Sequence, residues 1–501
     1  MNSGPLVPQT SALTRLRHAP CEATIADAPR ILGLTDERPT LLLEDPDAVA
    51  ALGMLLAAAG YTADGLCESL HVEGSLPSAR AEIPIHLQRL ADSGQLAVLI
   101  KLFFLGASVS REEGAMALPE LELARLEAIG VLKAADGGYR STLRLVPHRD
   151  VVAAYEAGAE PPPGTDLLAN LTVRMHFVSA LQPDAGSGLH ALLAARHTDR
   201  AVAADLDPRA HELTHFGALL NGLENVETLA GPGVKPVAGH SFGLVAANPS
   251  RLLTPADDER ADSLCRELVQ AVAAQLSEGG FAHLLVTWIL GPGEEWWSPL
   301  DHWLEGRDCD ALLLLEREDD PISYSALHAD EGELERWTTF LAGLAADRVA
   351  TGAIVLRRRT RARNWTRHEE LPSPEIGPAG DQVVRAFVNH DLLASTPDQD
   401  QLLEEILAVV EPQRIEQTWR HKDEGLELES ARARLGWGLG FSVGIDNYTI
   451  ELLARIDGRR RLRELFAEIA QDSQLEEEAV ARAGLPAVRR LLELGFLARA
   501  V

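Results

Sequence analysis

Phe177-Val-Ser-Ala-Leu-Gln-Pro-Asp-Ala-Gly-Ser-Gly188 reads as an apolar run that breaks into a glycine loop. Leu189 to His197 continues with helical character, and Ala201-Val-Ala-Ala-Asp205 is a second apolar run ending in an acid. A polar helix ending near Asn221-Gly222 leads to a third run, Asn225 to Leu229. A fourth, Phe242-Gly-Leu-Val-Ala-Ala-Asn248-Pro249-Ser250, closes the stretch. Strand, glycine turn, helix, strand with a terminal acid is the pattern of a nucleotide-binding βαβ unit. Ligands of such sheets lie outside the carboxyl ends of the strands. The loop, Asp205 and Asn248-Pro249 are therefore expected to converge on one crevice. Gly186 and Gly188 let the backbone approach a ligand and turn tightly into a helix. Asp205 is placed to accept two ribose hydroxyls, and Asn248-Pro249 falls where a reacting group lies.

Working outward, the chain keeps alternating. Asp257 to Glu278 reads as an amphipathic helix ending at Gly279-Gly280, and Phe281 to Trp288 as a buried strand. Glu294 to Leu304 is a helix, Asp310 to Leu315 a strand, Asp330 to Ala346 a helix and Val349 to Leu356 a final strand that nearly pairs with its predecessor. The sum is an α/β fold: seven strands with alternating helices in a doubly wound, mostly parallel sheet.

Upstream, Glu160-Pro-Pro-Pro-Gly164 is a stiff, extended boundary. Before it, Asp47 to Gly60 reads as a helix with an acid near its start and glycine past its end. Ile85 to Leu90 and Gln95 to Leu105 are further helices, Ser110-Arg-Glu-Glu113 resembles a capping box, and Pro119 to Ile129 follows. Asp136-Gly137-Gly138 between short apolar runs marks a hairpin. Three helices and a hairpin give the winged-helix order. Its would-be recognition helix carries Glu120, Glu122 and Glu127 against Arg125, the wrong sign for a phosphate surface. The region therefore reads as a structural or substrate-covering lid. Downstream of a proline-rich break at Leu371 to Pro378, Asp381 to Val410, Tyr448 to Gly458 and Pro486 to Ala498 read as helical. The expected organisation is a disordered tail over 1–28, an N-terminal helical, winged-helix-like domain over 29–160, a Rossmann-like domain over 161–372 and a C-terminal helical domain over 373–501.

At 501 residues the chain exceeds one core. With 46% hydrophobic and 24% charged residues it has an ordinary globular composition. Its longest apolar runs fall short of a membrane span. The start lacks the hydrophobic segment of a secretory signal, so a cytoplasmic protein is expected. Cys21, Cys67, Cys265 and Cys309 lie far apart, which argues against a zinc site or disulfide framework. A net charge of −29 repels polyanions at long range, so nucleic acid would need a local basic patch and DNA is disfavoured.

At this point the chain resembles the class I S-adenosylmethionine-dependent methyltransferases, the small-domain group with a D-L-G-x-G-x-G loop and an N-P-P-[FYW] signature. Ala204-Asp-Leu-Asp-Pro-Arg-Ala210, Leu220-Asn-Gly222, Pro236-Val-Ala-Gly239, Gly279-Gly-Phe-Ala-His283 and Gly352 to Arg359 carry the likeness over most of residues 40–500. The resemblance implies S-adenosyl-L-methionine as cofactor, held by Asp184, Gly186, Gly188 and Asp205. It places a methyl acceptor beside Asn248 and Pro249. The acceptor itself stays open among small molecule, protein and RNA, with a nitrogen suggested by the Asn-Pro pair. The chain departs from the family where Gln182 replaces an acid and Asp184 the first glycine. Gly231-Pro232-Gly233 lacks the acid expected to meet the adenine, Gly243 replaces another acid, and Asn248-Pro249-Ser250-Arg251 lacks the second proline and the aromatic. The alternative is a methyltransferase-fold protein that has lost catalysis and serves as a binding or scaffold subunit.

Other candidates are blander. The basic run Arg357 to His368, with Trp365 interleaved, suits either a polyanion or a solvated strand exit. Trp296, Trp297 and Trp303 sit at core spacing, with one of the adjacent pair expected in the crevice. His283 and His302 have no spaced metal partner.

Overall fold

A computed structural model describes residues 41–500, apart from 42, 74–75, 78–81, 91–93, 136, 250–260, 330–331, 362, 374–376 and 423–424. The expected N-terminal tail, Cys21 and Ser250 lie outside the described residues. The rest from Pro39 onward forms one unit. Its centre is the segment quoted first. After α1 (Thr165–Leu171), β1 (Phe177–Pro183) leads through the glycine loop to α2 (Leu189–Ala195) and β2 (Thr198–Asp205). Next come α3 (Pro208–Leu220), β3 (Val226–Ala230), β4 (Phe242–Ala247), α4 (Ala261–Gln275) and β5 (Leu276–Leu290). The series ends with α5 (Ser298–Leu304), β6 (Cys309–Asp319), α6 (Pro321–His328), α7 (Leu334–Gly343), β7 (Arg348–Arg358) and β8 (Thr366–Glu370).

The strands form one eight-stranded sheet in the order β8-β6-β7-β5-β4-β1-β2-β3. All neighbours are parallel except β7, which runs against both β5 and β6. The mostly parallel α/β sheet agrees with the sequence; its strand count is eight rather than seven. The added strand, β8, lies in the basic run, where charged residues masked it. The order reverses between β1 and β4, so a crevice opens at the carboxyl ends of those two strands. β5 is buried on both faces for most of its length, and from Phe281 to Leu290 only His283 and Thr287 interrupt its apolar residues. It begins at Leu276, so Gly279-Gly280 lies inside the strand rather than at a helix end.

The N-terminal segment packs on the β1–β3 half. Its helix Pro46–Ala58 is capped by the Asp45 side chain, and Ser110 and Glu113 form a reciprocal capping box. A three-stranded sheet, Val109–Ser110, Gly138–Ser141 and Leu132–Ala135, precedes a hairpin of Leu143–His148 and Val151–Glu156. Leu52, Leu56, Phe104 and Leu145 share one core with Leu192, Phe216 and Leu220 of α2 and α3. The approach is close: a Cβ on Gly53 would stand 1.9 Å from the Leu220 carbonyl oxygen. Glu156 and Asn221 fasten the hairpin to α3, by an ion pair to Arg209 of 2.6 Å and by bonds of 2.8 Å to both backbone groups of Val152.

The C-terminal segment holds helices where Tyr448 to Gly458 and Pro486 to Ala498 read as helical, at Asn447–Arg455 and Glu477–Glu493, and adds a sheet that the sequence reading did not include. The helix Gly380–Ser395 packs on the sheet through Phe387, but Gln413–Lys422, Gly425–Leu435 and Ser442–Gly444 form a three-stranded sheet. Ala431, Ala433 and Leu435 are buried while their neighbours are exposed, a period of two that identifies a strand. Arg357 and Arg361 of the basic run are bound by the fully buried Asp310, with Arg357 also paired to Asp391 at 2.8 Å. That charge is committed inside the fold rather than solvated at a strand exit.

Candidate functional site

The loop after β1 is set by backbone conformation. Asp184, Gly186 and Gly188 have φ of 49°, 55° and 72°, all left-handed. Gly188 has no alternative residue: a Cβ there would lie 2.3 Å from the Thr214 hydroxyl of α3. Above Gly186 the same test meets open space. Gln182, where the resembled family has an acid, is buried and works as a brace. Its amide nitrogen donates to the Ala185 carbonyl at 2.9 Å, and its oxygen accepts from the Ala191 N–H at 2.8 Å.

Asp205 ends β2 beside this loop. One carboxylate oxygen accepts from the Gly186 N–H and the other from the Asp207 N–H, both at 2.8 Å. The carbonyl of Asp205 accepts from Gly231 N–H at 2.8 Å. Asp184 reaches further, its carboxylate accepting from the Gly233 N–H at 2.9 Å. Two departures from the family pattern thus meet each other: the acid that replaces a glycine caps the loop that lost its acid. Desolvation between the loops pushes the Asp184 carboxyl above its ordinary range; the Gly233 N–H opposes this and the Asp205 charge adds to it. Gly243 likewise has a local cause, since a Cβ on it would stand 2.8 Å from the Phe177 ring.

Asn248 stands across the switch point, just past β4. Its amide nitrogen donates to the Pro163 carbonyl at 3.1 Å, and its carboxamide oxygen is buried without a partner among the described residues. Pro249 is half-buried beside it. The structure therefore groups Asp184, Gly186, Gly188 and Asp205, and sets Asn248 against the proline boundary segment.

That segment and the N-terminal hairpin bring residues that sequence inspection passed over. His148 Nδ1 lies 2.9 Å from Asp166 Oδ1, and His148 Nε2 lies 3.1 Å from the Tyr155 hydroxyl. The hydrogen bond from His148 holds the Asp166 carboxyl below its ordinary range. One signal was available: register places Arg144 opposite Tyr155 and His148 opposite Val151, so both polar aromatics share a hairpin face.

His190 of α2 and His283 of β5 are buried, each with an Nδ1 that has no partner among the described residues, and His283 Nε2 accepts from the Val173 N–H at 3.3 Å. Burial pushes both imidazoles down to about 3 from the usual 6.5. The unfolded chain takes up these protons below pH 6.5 while the folded chain does not. Stability that is complete above 6.5 is therefore lost progressively as pH falls toward 3. Asp166 adds loss in the same direction at the acid end. A urea midpoint followed across that window should fall, and should fall less steeply in His283→Gln; equal slopes would mean the imidazole is already solvated.

Trp296 and Trp303 are buried, while half-buried Trp297 stacks on His368 with centroids 5.1 Å apart. A cleft of about 600 Å³ at the carboxyl ends of β6 and β8 is lined by Trp296, Glu295, Glu318, Arg348 and Glu370. Exposed His302 binds its own helix through Ser298.

A family model described as a domain of unknown function (DUF7059) matches residues 58–142. No curated protein matches the chain. Similar solved structures include the YcgJ protein from Bacillus subtilis, at 15% identity and a TM-score of 0.28, covering 39% of this chain and 97% of that one. The M. jannaschii tRNA m1G37 methyltransferase is 15% identical with a TM-score of 0.29, covering 44% of this chain and 58% of that one. An rRNA methylase from Streptococcus thermophilus is 14% identical with a TM-score of 0.23, covering 39% of this chain and 93% of that one.

Proposed function

We propose that the protein is a methyltransferase that binds S-adenosyl-L-methionine at the carboxyl ends of β1 and β2 and methylates a nitrogen beside Asn248. The observation that carries this is Asp205 at the end of β2, next to two left-handed glycines at the switch point of a parallel sheet. The residues fit the ribose end of the cofactor. Each Asp205 oxygen bonds one backbone N–H and retains capacity for a hydroxyl, and the space above Gly186 is open. The cofactor supplies an electrophilic methyl group, so the protein's work is alignment and exclusion of water. Asn248 suits an N–H acceptor, because Pro163 occupies its amide nitrogen and its oxygen has no partner among the described residues. Titration calorimetry with S-adenosylmethionine and S-adenosylhomocysteine tests the proposal. Absence of heat at millimolar ligand would overturn it.

One observation favours a second reading, a binding or scaffold protein on the same fold. Asp184 bonds the Gly233 N–H of the neighbouring loop, and its charge opposes a ligand carboxylate. Asp184→Gly removes that charge and suits the left-handed backbone at this position. On the enzyme reading the variant binds S-adenosylhomocysteine about tenfold more tightly, the equivalent of one displaced hydrogen bond of ~1.4 kcal/mol. Binding by the variant with none by the natural chain would instead establish the second reading.

A further inference from the structure

The C-terminal sheet ends in an arm. Its strands Gln413–Lys422 and Gly425–Leu435 pair antiparallel along their whole length, but the third strand, Ser442–Gly444, pairs only with Arg432 to Arg434. Beyond that strand the hairpin stands as two strands. Arg414 to Lys422 are all exposed, as are the residues from Gly425 to Ser430 except half-buried Leu428. One face changes character along its length. Ala431, Ala433 and Leu435 are core at its base, while Ile415, Trp419 and Leu426 continue the same face outward at 44%, 50% and 67% exposure. A two-stranded hairpin open on both faces is marginal in water.

The outer edge of the arm is open as well. The Gly436 N–H donates to the Pro412 carbonyl at 2.9 Å. Antiparallel alternation from that pair turns the backbone groups of Arg414, Glu416 and Thr418 toward the second strand of the hairpin. The N–H and C=O groups of Ile415, Gln417, Trp419 and His421 therefore face away from it, and no strand among the described residues pairs with that edge. Such an edge is a template for another strand.

We propose that the partner is a second copy of this chain: two Gln413–Lys422 strands pair antiparallel about a dyad at Trp419 and join two three-stranded sheets into one of six. Charge selects both the copy and the register. With the dyad at Trp419, Glu416 stands opposite the partner's Lys422, and the symmetry makes this pair twice. Trp419 meets the partner's Trp419, and Gln417 meets the partner's His421 through outward-facing backbone groups. Lys422 then lies between Glu427 of its own chain and the partner's Glu416. Moving the dyad to Gln417 or Thr418 would set Arg414 against the partner's Arg420 or the partner's Lys422, pairs of like charge. The arm also suits approach of a copy. The chain carries a net charge of −29, yet residues 413–435 hold five Arg and Lys against five Asp and Glu, so two copies repel least there.

The proposal stands apart from the cofactor reading, and sedimentation velocity on the full chain over a dilution series tests it. The natural chain is expected to reach twice its own mass as concentration rises. Gln417→Pro removes one outward N–H and leaves the ladder to Gly425–Leu435 intact, as proline does on edge strands. It should sediment as a monomer with an unchanged circular dichroism spectrum. Glu416→Lys should raise the dimer dissociation constant about tenfold by turning two attractive pairs repulsive. Adding Lys422→Glu to that variant should restore the dimer. A natural chain that stays monomeric throughout would overturn the proposal. So would a dimer that persists equally in Gln417→Pro and Glu416→Lys, because its interface would lie elsewhere.

Discussion

Asp310→Ala is expected to destabilise the protein by about 3–5 kcal/mol, the cost of stranding a buried charge. Asp310 is fully buried on β6 and holds Arg357 at 2.9 Å, Arg361, and the Asn364 amide at 3.1 Å. Burial alone would raise its carboxyl, but the hydrogen bonds from Arg361, Arg357 and Asn364 outweigh it, and the group is held below its ordinary range. Removing it leaves Arg357 with Asp391 as its remaining carboxylate, over the face of Phe387 at 5.1 Å. Asp391 lies on the helix Gly380–Ser395, so the variant should loosen the C-terminal segment as well as the sheet. Urea denaturation followed by circular dichroism measures the loss. A change below about 1 kcal/mol, the range of surface ion pairs, would mean that water already reaches this cluster.

Asp205→Ala should raise the dissociation constant for S-adenosylhomocysteine by about two orders of magnitude, from hydrogen bonds to a charged group at ~1.5–3 kcal/mol each. The side chain has two duties. It is placed to take ribose hydroxyls, and it already holds the Gly186 and Asp207 N–H groups, so its loss frees the loop too. Asp205→Asn separates these duties, because a carboxamide keeps an acceptor for one N–H while losing the charge. Calorimetry on both variants should rank Ala as worse than Asn. Unchanged affinity in Asp205→Ala would put the cofactor elsewhere.

Both predictions turn on acids, yet they differed in legibility. Asp205 was visible in the sequence because it ends an apolar run at a fixed distance from a glycine loop. Asp310 also begins an apolar run, but its partners Arg357 and Arg361 come from β7 and the loop beyond it, so the basic segment read as a surface feature. The same applies to β8, whose Thr366–Glu370 offers no apolar alternation and is a strand because β6 supplies a parallel partner. In the C-terminal segment Ala431, Ala433 and Leu435 did carry a period of two, but alanines give it little amplitude.

What the sequence determined by itself was the α/β sheet and the cluster of Gly186, Gly188 and Asp205. These depend on local demands, a left-handed φ, a tight turn into a helix and an acid at a strand end, which residue type alone can meet or fail. Tertiary structure decided what surrounds them. Asp184 bonds Gly233, Asn248 bonds Pro163, and Tyr155 meets His148, which in turn meets Asp166. Those partners come from separate loops, a hairpin and a helix. Their meeting is fixed by strand order and by the packing of the N-terminal core on α2 and α3, which no single stretch of residues encodes.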